Sequence, residues 1–252
     1  MTRPALSVQL YTLRDRLSDL PALARDLARI GFECVEPHRW YENPGEVQEA
    51  LSAAGLRAPS AHAPILDGAA HQIFAAAAEL GVETVIQPSS DPELWRSSAG
   101  VEELADRLNQ LVDTARDFGV KVGYHNHAFE FLEPEWVARE GCEGELTALD
   151  YFAQQLRDEV TLEVDTYWAA VGGADPVALL RRLGERVTLL HIKDGPITSG
   201  ASDQVAVGAG AMPVEKILAI APHARPVIEL DDHRGDMLEA VRASFEFLVG
   251  RV

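Results

Sequence analysis

TLEVDTYWAAVGGADPVALLRRLGERVTLLHIKD, residues 161–194, is the stretch on which the fold turns. It opens on a short strand-like run, 161–165, with Leu162 and Val164 as its apolar residues, passes through a helical segment, 176–183, and closes on a more continuously apolar run, 187–192. Asp175 stands where a helix N-cap is expected and Pro176 at the first helical position. Strands with little polar alternation belong to a sheet buried on both faces, as parallel sheets are. The stretch therefore predicts a strand–helix–strand unit of a parallel α/β fold.

The same alternation recurs outward in both directions. Toward the N-terminus, strands are expected over 5–11, 34–36, 58–62, 84–87 and 120–125, with helices over 18–30, 44–54, 68–80, 101–118 and 146–156. Toward the C-terminus follow a helix over 214–221, a strand over 226–230 and a closing helix over 237–249. In the first helix Leu20, Leu23, Ala24, Leu27 and Ile30 share a face, and Gly31 sits at the C-cap. Eight strand–helix units of about 30 residues match a single (β/α)8 TIM barrel with parallel strands and outer helices. A doubly wound open sheet is the alternative. It would want a glycine-rich nucleotide loop after the first strand, and Leu10-Tyr11-Thr12-Leu13 has no glycine. No linker or low-complexity stretch interrupts residues 1–252, which read as one domain. The longest strand-to-helix connections are 128–145 and 195–213, and long connections in compact domains usually carry function or move.

Charge works mainly by exclusion. The formal net charge is −18, from 22 basic and 40 acidic side chains. A grip on phosphate backbones needs a basic stripe, and the sequence has no cluster of Lys and Arg, so nucleic acid and anionic membrane are poor partners. Cys34 and Cys142 lie far apart, in neither a disulfide framework nor a zinc-ribbon spacing. Residues 1–10 carry no apolar signal region, and no apolar run reaches the ~18 residues of a membrane span. A soluble cytoplasmic protein is expected. Self-association is left open.

The active site of such a barrel lies at the C-terminal ends of its strands. Of the eight histidines, His38, His62, His125, His127, His191 and His233 fall at or just after predicted strand ends, and His71 and His223 fall elsewhere. Any one of them alone reads as a hydrogen-bonded or solvated loop histidine; the set reads as a shared pocket. Residues two apart on a strand share a face, which pairs Glu163 with Asp165, Glu229 with Asp231, His125 with His127, and His191 with Lys193. One member of each pair lies a layer deeper. Carboxylates pointing into an apolar barrel are costly without a compensating cation or hydrogen bonds. Lys193 is expected to serve one of them but hardly all. One divalent metal ion, Mn, Co, Zn or Mg, would resolve the conflict, because mixed His and carboxylate donors suit these ions. Bound there, it could polarise sugar oxygens while a flanking His or carboxylate moves a proton.

These segments resemble the xylose isomerase-like TIM barrel superfamily, the sugar phosphate isomerase/epimerase group. The likeness spans essentially the whole chain. Its motifs are Ser7-Val8-Gln9-Leu10-Tyr11-Thr12-Leu13-Arg14, Gly31-Phe32-Glu33-Cys34-Val35-Glu36 and Ser60-Ala61-His62 in the first third of the chain. They continue with Gly123-Tyr124-His125-Asn126-His127-Ala128-Phe129-Glu130-Phe131, Glu163-Val164-Asp165-Thr166-Tyr167-Trp168, His191-Ile192-Lys193-Asp194, Val207-Gly208-Ala209-Gly210 and Ile228-Glu229. The resemblance implies a single divalent metal held by His125, Asp165, His191 and Glu229. His125 is a departure, since many relatives place there a glutamate that doubles as an acid/base. It further implies Glu229, His127, Glu130 and Lys193 as proton-transfer candidates, and Glu36, His62 and Trp168 as substrate-binding residues. For Glu36 and His62 the alternative is a solvated strand end. For Trp168, and for Trp40 and Tyr41, it is packing at the barrel rim. Gly208 and Gly210 match a family turn, and a lone Gly-x-Gly is weak evidence for a phosphate site.

Four functions compete. The first is isomerisation or epimerisation of a sugar or keto-sugar by proton abstraction next to a carbonyl. The second is metal-dependent elimination, a dehydratase or lyase acting on a keto-inositol or 3-keto-glycoside. The third is DNA hydrolysis, which would need a multi-metal cluster and a basic groove. The fourth is a non-catalytic sugar-binding barrel.

Overall fold

The computed structural model describes residues 4–131, 136 and 146–251. Cys142 and much of the 128–145 connection lie outside the described residues. Seven parallel strands form one sheet: β1 Ser7–Val8, β2 Ser60–His62, β3 Thr84–Gln87, β4 Lys121–His125, β5 Thr161–Asp165, β6 Val187–Ile192 and β7 Arg225–Ile228. The order is β1-β7-β6-β5-β4-β3-β2, so the edges are β1 and β2. Residues 34–36 fill the gap between them. Gln9 bridges Glu36 and Cys34 bridges Arg57, both parallel. The backbone bonds Leu10 N to Glu36 O, 2.8 Å, and Val35 N to Arg57 O, 2.9 Å, close the ring. The second strand, expected over 34–36, is therefore present as two isolated bridges, and the sheet is a barrel.

Most elements fall within a few residues of expectation; the first strand and the segment after β5 differ more, for identifiable reasons. The first strand stops at Val8, because the Gln9 side chain accepts from Tyr11 N and turns Leu10–Asp19 into 3-10 helix. The apolar run there mimics a strand, but a local side-chain cap overrides its propensity. An unexpected helix, Thr166–Val171, follows β5 directly, with Asp165 Oδ1 accepting from Trp168 N at 2.8 Å. The other outer helices are Leu20–Ile30, Pro44–Ala54, Ala70–Leu80, Ser98–Asp117, Ala148–Gln155, Pro176–Leu183, Val214–Ile220 and Met237–Leu248. Among the described residues none is long and apolar enough to cross a membrane.

The barrel interior is apolar at depth and polar at the mouth. Ile86, Leu189 and Val227 form a small buried cluster of their own. They come from β3, β6 and β7, so they meet across the interior. Leu189 lies two residues before His191 on the same face of β6, one layer deeper. An apolar plug thus floors the polar site.

Candidate functional site

The site is built from the ends of the strands. His125 ends β4, Glu163 and Asp165 lie on β5, and His191 lies on β6. Register sets His125 beside Glu163 and Asp165 beside His191. Lys193 follows β6, and Glu229 and Asp231 follow β7. Glu36 and His62 enter from the opposite side of the ring.

The deeper layer is a network of carboxylates and imidazoles. Glu163 Oε2 lies 2.5 Å from His62 Nε2, 3.2 Å from His191 Nε2 and 3.3 Å from His125 Nδ1. Glu36 Oε1 lies 2.9 Å from His191 Nε2 and 3.2 Å from His62 Nε2, and accepts from Gln9 Nε2 at 2.7 Å. Ser60 Oγ donates to its other oxygen. Burial works against the charged form of His191, but the Glu163 and Glu229 carboxylates outweigh it and hold its pKa well above the ordinary value. Burial likewise opposes the charge on Glu163, but His191 and His62 prevail and keep it ionised. Glu36 is pushed above the ordinary carboxyl range by its own burial and by the Glu163 charge, with His62 and His191 pulling the other way. Burial, then the neighbouring His191 charge, drives the His125 pKa well down, leaving a neutral imidazole.

The upper layer joins His191 to three acids through one lysine. His191 Nδ1 lies 2.5 Å from Glu229 Oε2. Lys193 Nζ lies 2.8 Å from each of Asp165 Oδ2, Glu229 Oε2 and Asp231 Oδ2. Lys193, expected to serve one acid but hardly all, reaches these three on its wholly buried stem, while Glu36 and Glu163 are met by histidines instead. Burial raises the Asp165 pKa to about 6, with Lys193 pulling the other way. Trp168 Nε1 and Gln204 Nε2 also donate to Asp231 Oδ2, at 3.0 and 2.7 Å. The Trp168 ring thus faces the cluster and is not merely rim packing.

One ligand atom from each of His125, Asp165, His191 and Glu229 lies within 4.8 Å of all the others. His62, His125, Glu163 and His191 satisfy the same criterion. The donor set fits a divalent ion on a further ground. Glu163 Oε1 is buried with no hydrogen-bond partner, and His125 Nδ1, Asp165 Oδ2 and His191 Nδ1 are buried facing only charged neighbours, Glu163, Lys193 and Glu229. Buried polar atoms are normally satisfied, and convergent unsatisfied ones suit a metal.

The remaining candidates divide. His127 stacks on Phe129, its Nδ1 has no partner, and burial lowers its pKa to about 4, so it is neutral. Glu130 is buried beneath the turn: its two oxygens accept from Tyr124 Oη and His127 N, each at 2.9 Å. It braces the His125–His127 turn and touches none of the clustered ligand atoms. Trp40 is buried, its indole donating to His62 O at 2.9 Å. His38 packs edge-on against Tyr11 and lines a separate cavity of about 760 Å³ with Arg14, Glu42 and Glu46. His233 binds Gln204 O. The glycine turn is already occupied. Asp194 Oδ2 accepts from Gly208 N and Gly210 N, at 2.9 and 3.1 Å, and Oδ1 from Gly195 N and Met212 N, at 2.8 and 3.0 Å. These amides face an internal carboxylate, which removes the suggestion of a phosphate cradle. Sequence reasoning overlooked the parts played by Gln9, Ser60, Asp194 and Gln204. Gln9, Ser60 and Asp194 stood inside quoted motifs; Gln204 left no signal, being placed by a loop.

A family profile described as xylose isomerase-like TIM barrel matches residues 24–248. An inosose dehydratase of Geobacillus kaustophilus is 33% identical over 115 residues, which is 44% of this chain and 31% of that relative. The match thus spans about a third of the relative's own length. A sugar phosphate isomerase/epimerase from Parabacteroides distasonis superposes with a TM-score of 0.79 at 24% identity, covering 98% of this chain and 94% of that one. The IOLI protein, solved with a bound zinc atom, superposes with a TM-score of 0.71 at 16% identity, covering 99% and 98%. At these identities the two structures show a shared fold.

Proposed function

The chain belongs to the xylose isomerase-like TIM barrel family, and from that premise we propose that it is a divalent-metal-dependent isomerase or epimerase of a sugar or keto-sugar. The carrying observation is the convergence of His125, Asp165, His191 and Glu229 within 4.8 Å. Residues 1–252 are read as one domain of this kind. The four residues would hold one divalent ion, which when bound would polarise substrate oxygens and acidify the adjacent C–H. His191 is oriented for this by its Nε2, which faces Glu36 and Glu163, leaving Nδ1 toward Glu229. Glu229 is held ionised, His191 and Lys193 outweighing its burial, and is assigned as proton acceptor. Lys193 is the adjoining donor. His127, neutral and with Nδ1 unpartnered, is the second proton-transfer candidate. Trp168, His62 and Glu36 line the substrate side, and Glu130 supports His127 from below.

A second reading rests on the likeness to an inosose dehydratase. The same proton abstraction, followed by departure of a β-hydroxyl as water, yields an enone. One experiment separates the two. The purified protein is assayed for metal content and against ketoses, keto-inositols and 3-keto-glycosides. Isomer formation without ultraviolet absorbance supports the first reading; a growing enone band supports the second. Absence of divalent metal, with turnover unaffected by Glu229→Gln, would sink both.

A further inference from the structure

Lys193, the proposed donor beside Glu229, is not among the residues that would hold the metal, yet it rests on two of them. It is 1% exposed, and its ammonium sits 2.8 Å from three carboxylate oxygens. Two of these, Asp165 Oδ2 and Glu229 Oε2, belong to the proposed metal ligands. The third, Asp231 Oδ2, does not. A buried ammonium is tolerated only when paired, and here the pairing is threefold. A dication drawn to Asp165 and Glu229 would meet a like charge already resting on the same two oxygens, and in a water-poor interior that repulsion is poorly screened. The charges nevertheless balance if both cations stay, since three carboxylates offset one dication and one ammonium. Asp231 is the place left for the lysine. Its Oδ2 is also held by Trp168 Nε1 and by Gln204 Nε2 from the 195–213 loop.

We propose that Lys193 is a built-in competitor for the divalent ion: its ammonium claims the carboxylate side of the proposed metal site, and metal entry shifts it from Asp165 and Glu229 onto Asp231 alone. This rests on the metal reading above. Metal occupancy would thereby be felt at Trp168, whose indole shares Asp231 with the lysine and whose ring centre lies 5.7 Å from Nζ. It would also be felt at Gln204.

The test is metal affinity, measured with Mn2+ and Zn2+ by competition against a chromophoric chelator. Lys193→Met keeps the buried stem and removes the charge; it should bind at least about tenfold tighter than wild type, as removal of a competing cation requires. Asp231→Asn removes the lysine's refuge while sparing all four ligands; it should bind about tenfold more weakly. A purely structural lysine would not move the two variants in opposite directions. Because Lys193→Met leaves three clustered acids, two of them buried, without their cation, its folding is checked by circular dichroism; if it does not fold, Asp231→Asn decides. Wild-type tryptophan fluorescence should change on metal addition, and the change should vanish in Trp168→Phe. Wild-type binding with Lys193→Met no tighter, or with Asp231→Asn no weaker, overturns the competition alone. If neither wild type nor Lys193→Met takes up either ion, the metal reading fails and the competition with it.

Discussion

Glu130 keeps a proton that an exposed glutamate would release. Burial lifts its pKa from 4.5 to about 8, although bonds from its own backbone, Tyr124 and His127 pull the other way. The sign of the consequence is fixed by linkage. Between pH 4.5 and 8 the folded chain binds a proton that the unfolded chain has lost, so this residue's contribution to stability falls as pH rises through that window. Glu130→Gln keeps a carbonyl for His127 N and an amide for Tyr124 Oη, and cannot ionise. Relative to wild type it should gain stability on going from pH 5.5 to pH 8. Urea unfolding at the two pH values checks this, and a difference independent of pH would refute it. Activity is a separate readout, because Glu130 supports a turn and touches none of the clustered ligand atoms.

At the scale of elements, the 195–213 connection is held shut by one acid. Asp194 takes four backbone amides, and Gly208 lies at φ +92°, a conformation that glycine adopts freely. A Cβ on Gly210 would collide with Asp194 Oδ1 and Gly195 N. Gly210→Ala should therefore push the loop off its staple, costing about 1–3 kcal/mol of stability by overpacking. The loop also delivers Gln204 to Asp231, so KM should rise more than kcat falls. Steady-state kinetics beside thermal melts test it; an unchanged KM would refute it. The same loop marks a limit of sequence reading. Helices such as Pro44–Ala54 and Pro176–Leu183 were legible to the residue, because proline starts and glycine stops are local signals. The strand ends at His62, His125 and Asp165 were legible because each run stops at a His or an acid, whereas the last strand stops at Ile228, short of the expected 230. The short first strand was not, since Gln9 turns the chain through a side-chain bond that propensity does not encode. Nor were the partners of Asp194 and Lys193, which only the closed barrel brings together.

At the scale of the whole molecule, the net charge of −18 includes five acids, Glu36, Glu163, Asp165, Glu229 and Asp231, gathered at one mouth. That gathering was readable from strand periodicity, whereas the division of its compensation among His62, His191 and Lys193 was not. The proposed ligands come from four successive staves: His125 on β4, Asp165 on β5, His191 on β6 and Glu229 after β7. An ion bound there would cross-link half the barrel, which the unfolded chain cannot reproduce. Mass action then requires metal to stabilise the fold, by about 2.7 kcal/mol when the free ion is a hundredfold above its Kd. For a chain of 252 residues that corresponds to a rise in Tm of about 5–10 °C. The rise should be reversed by chelator. It should be absent from His125→Ala/Asp165→Asn, which removes two of the four strands' ligands while leaving Lys193 its other two carboxylates. Thermal melts with Mn2+ and with EDTA decide the matter. An equal rise in the double variant would mean that the ion stabilises the barrel from somewhere other than its mouth.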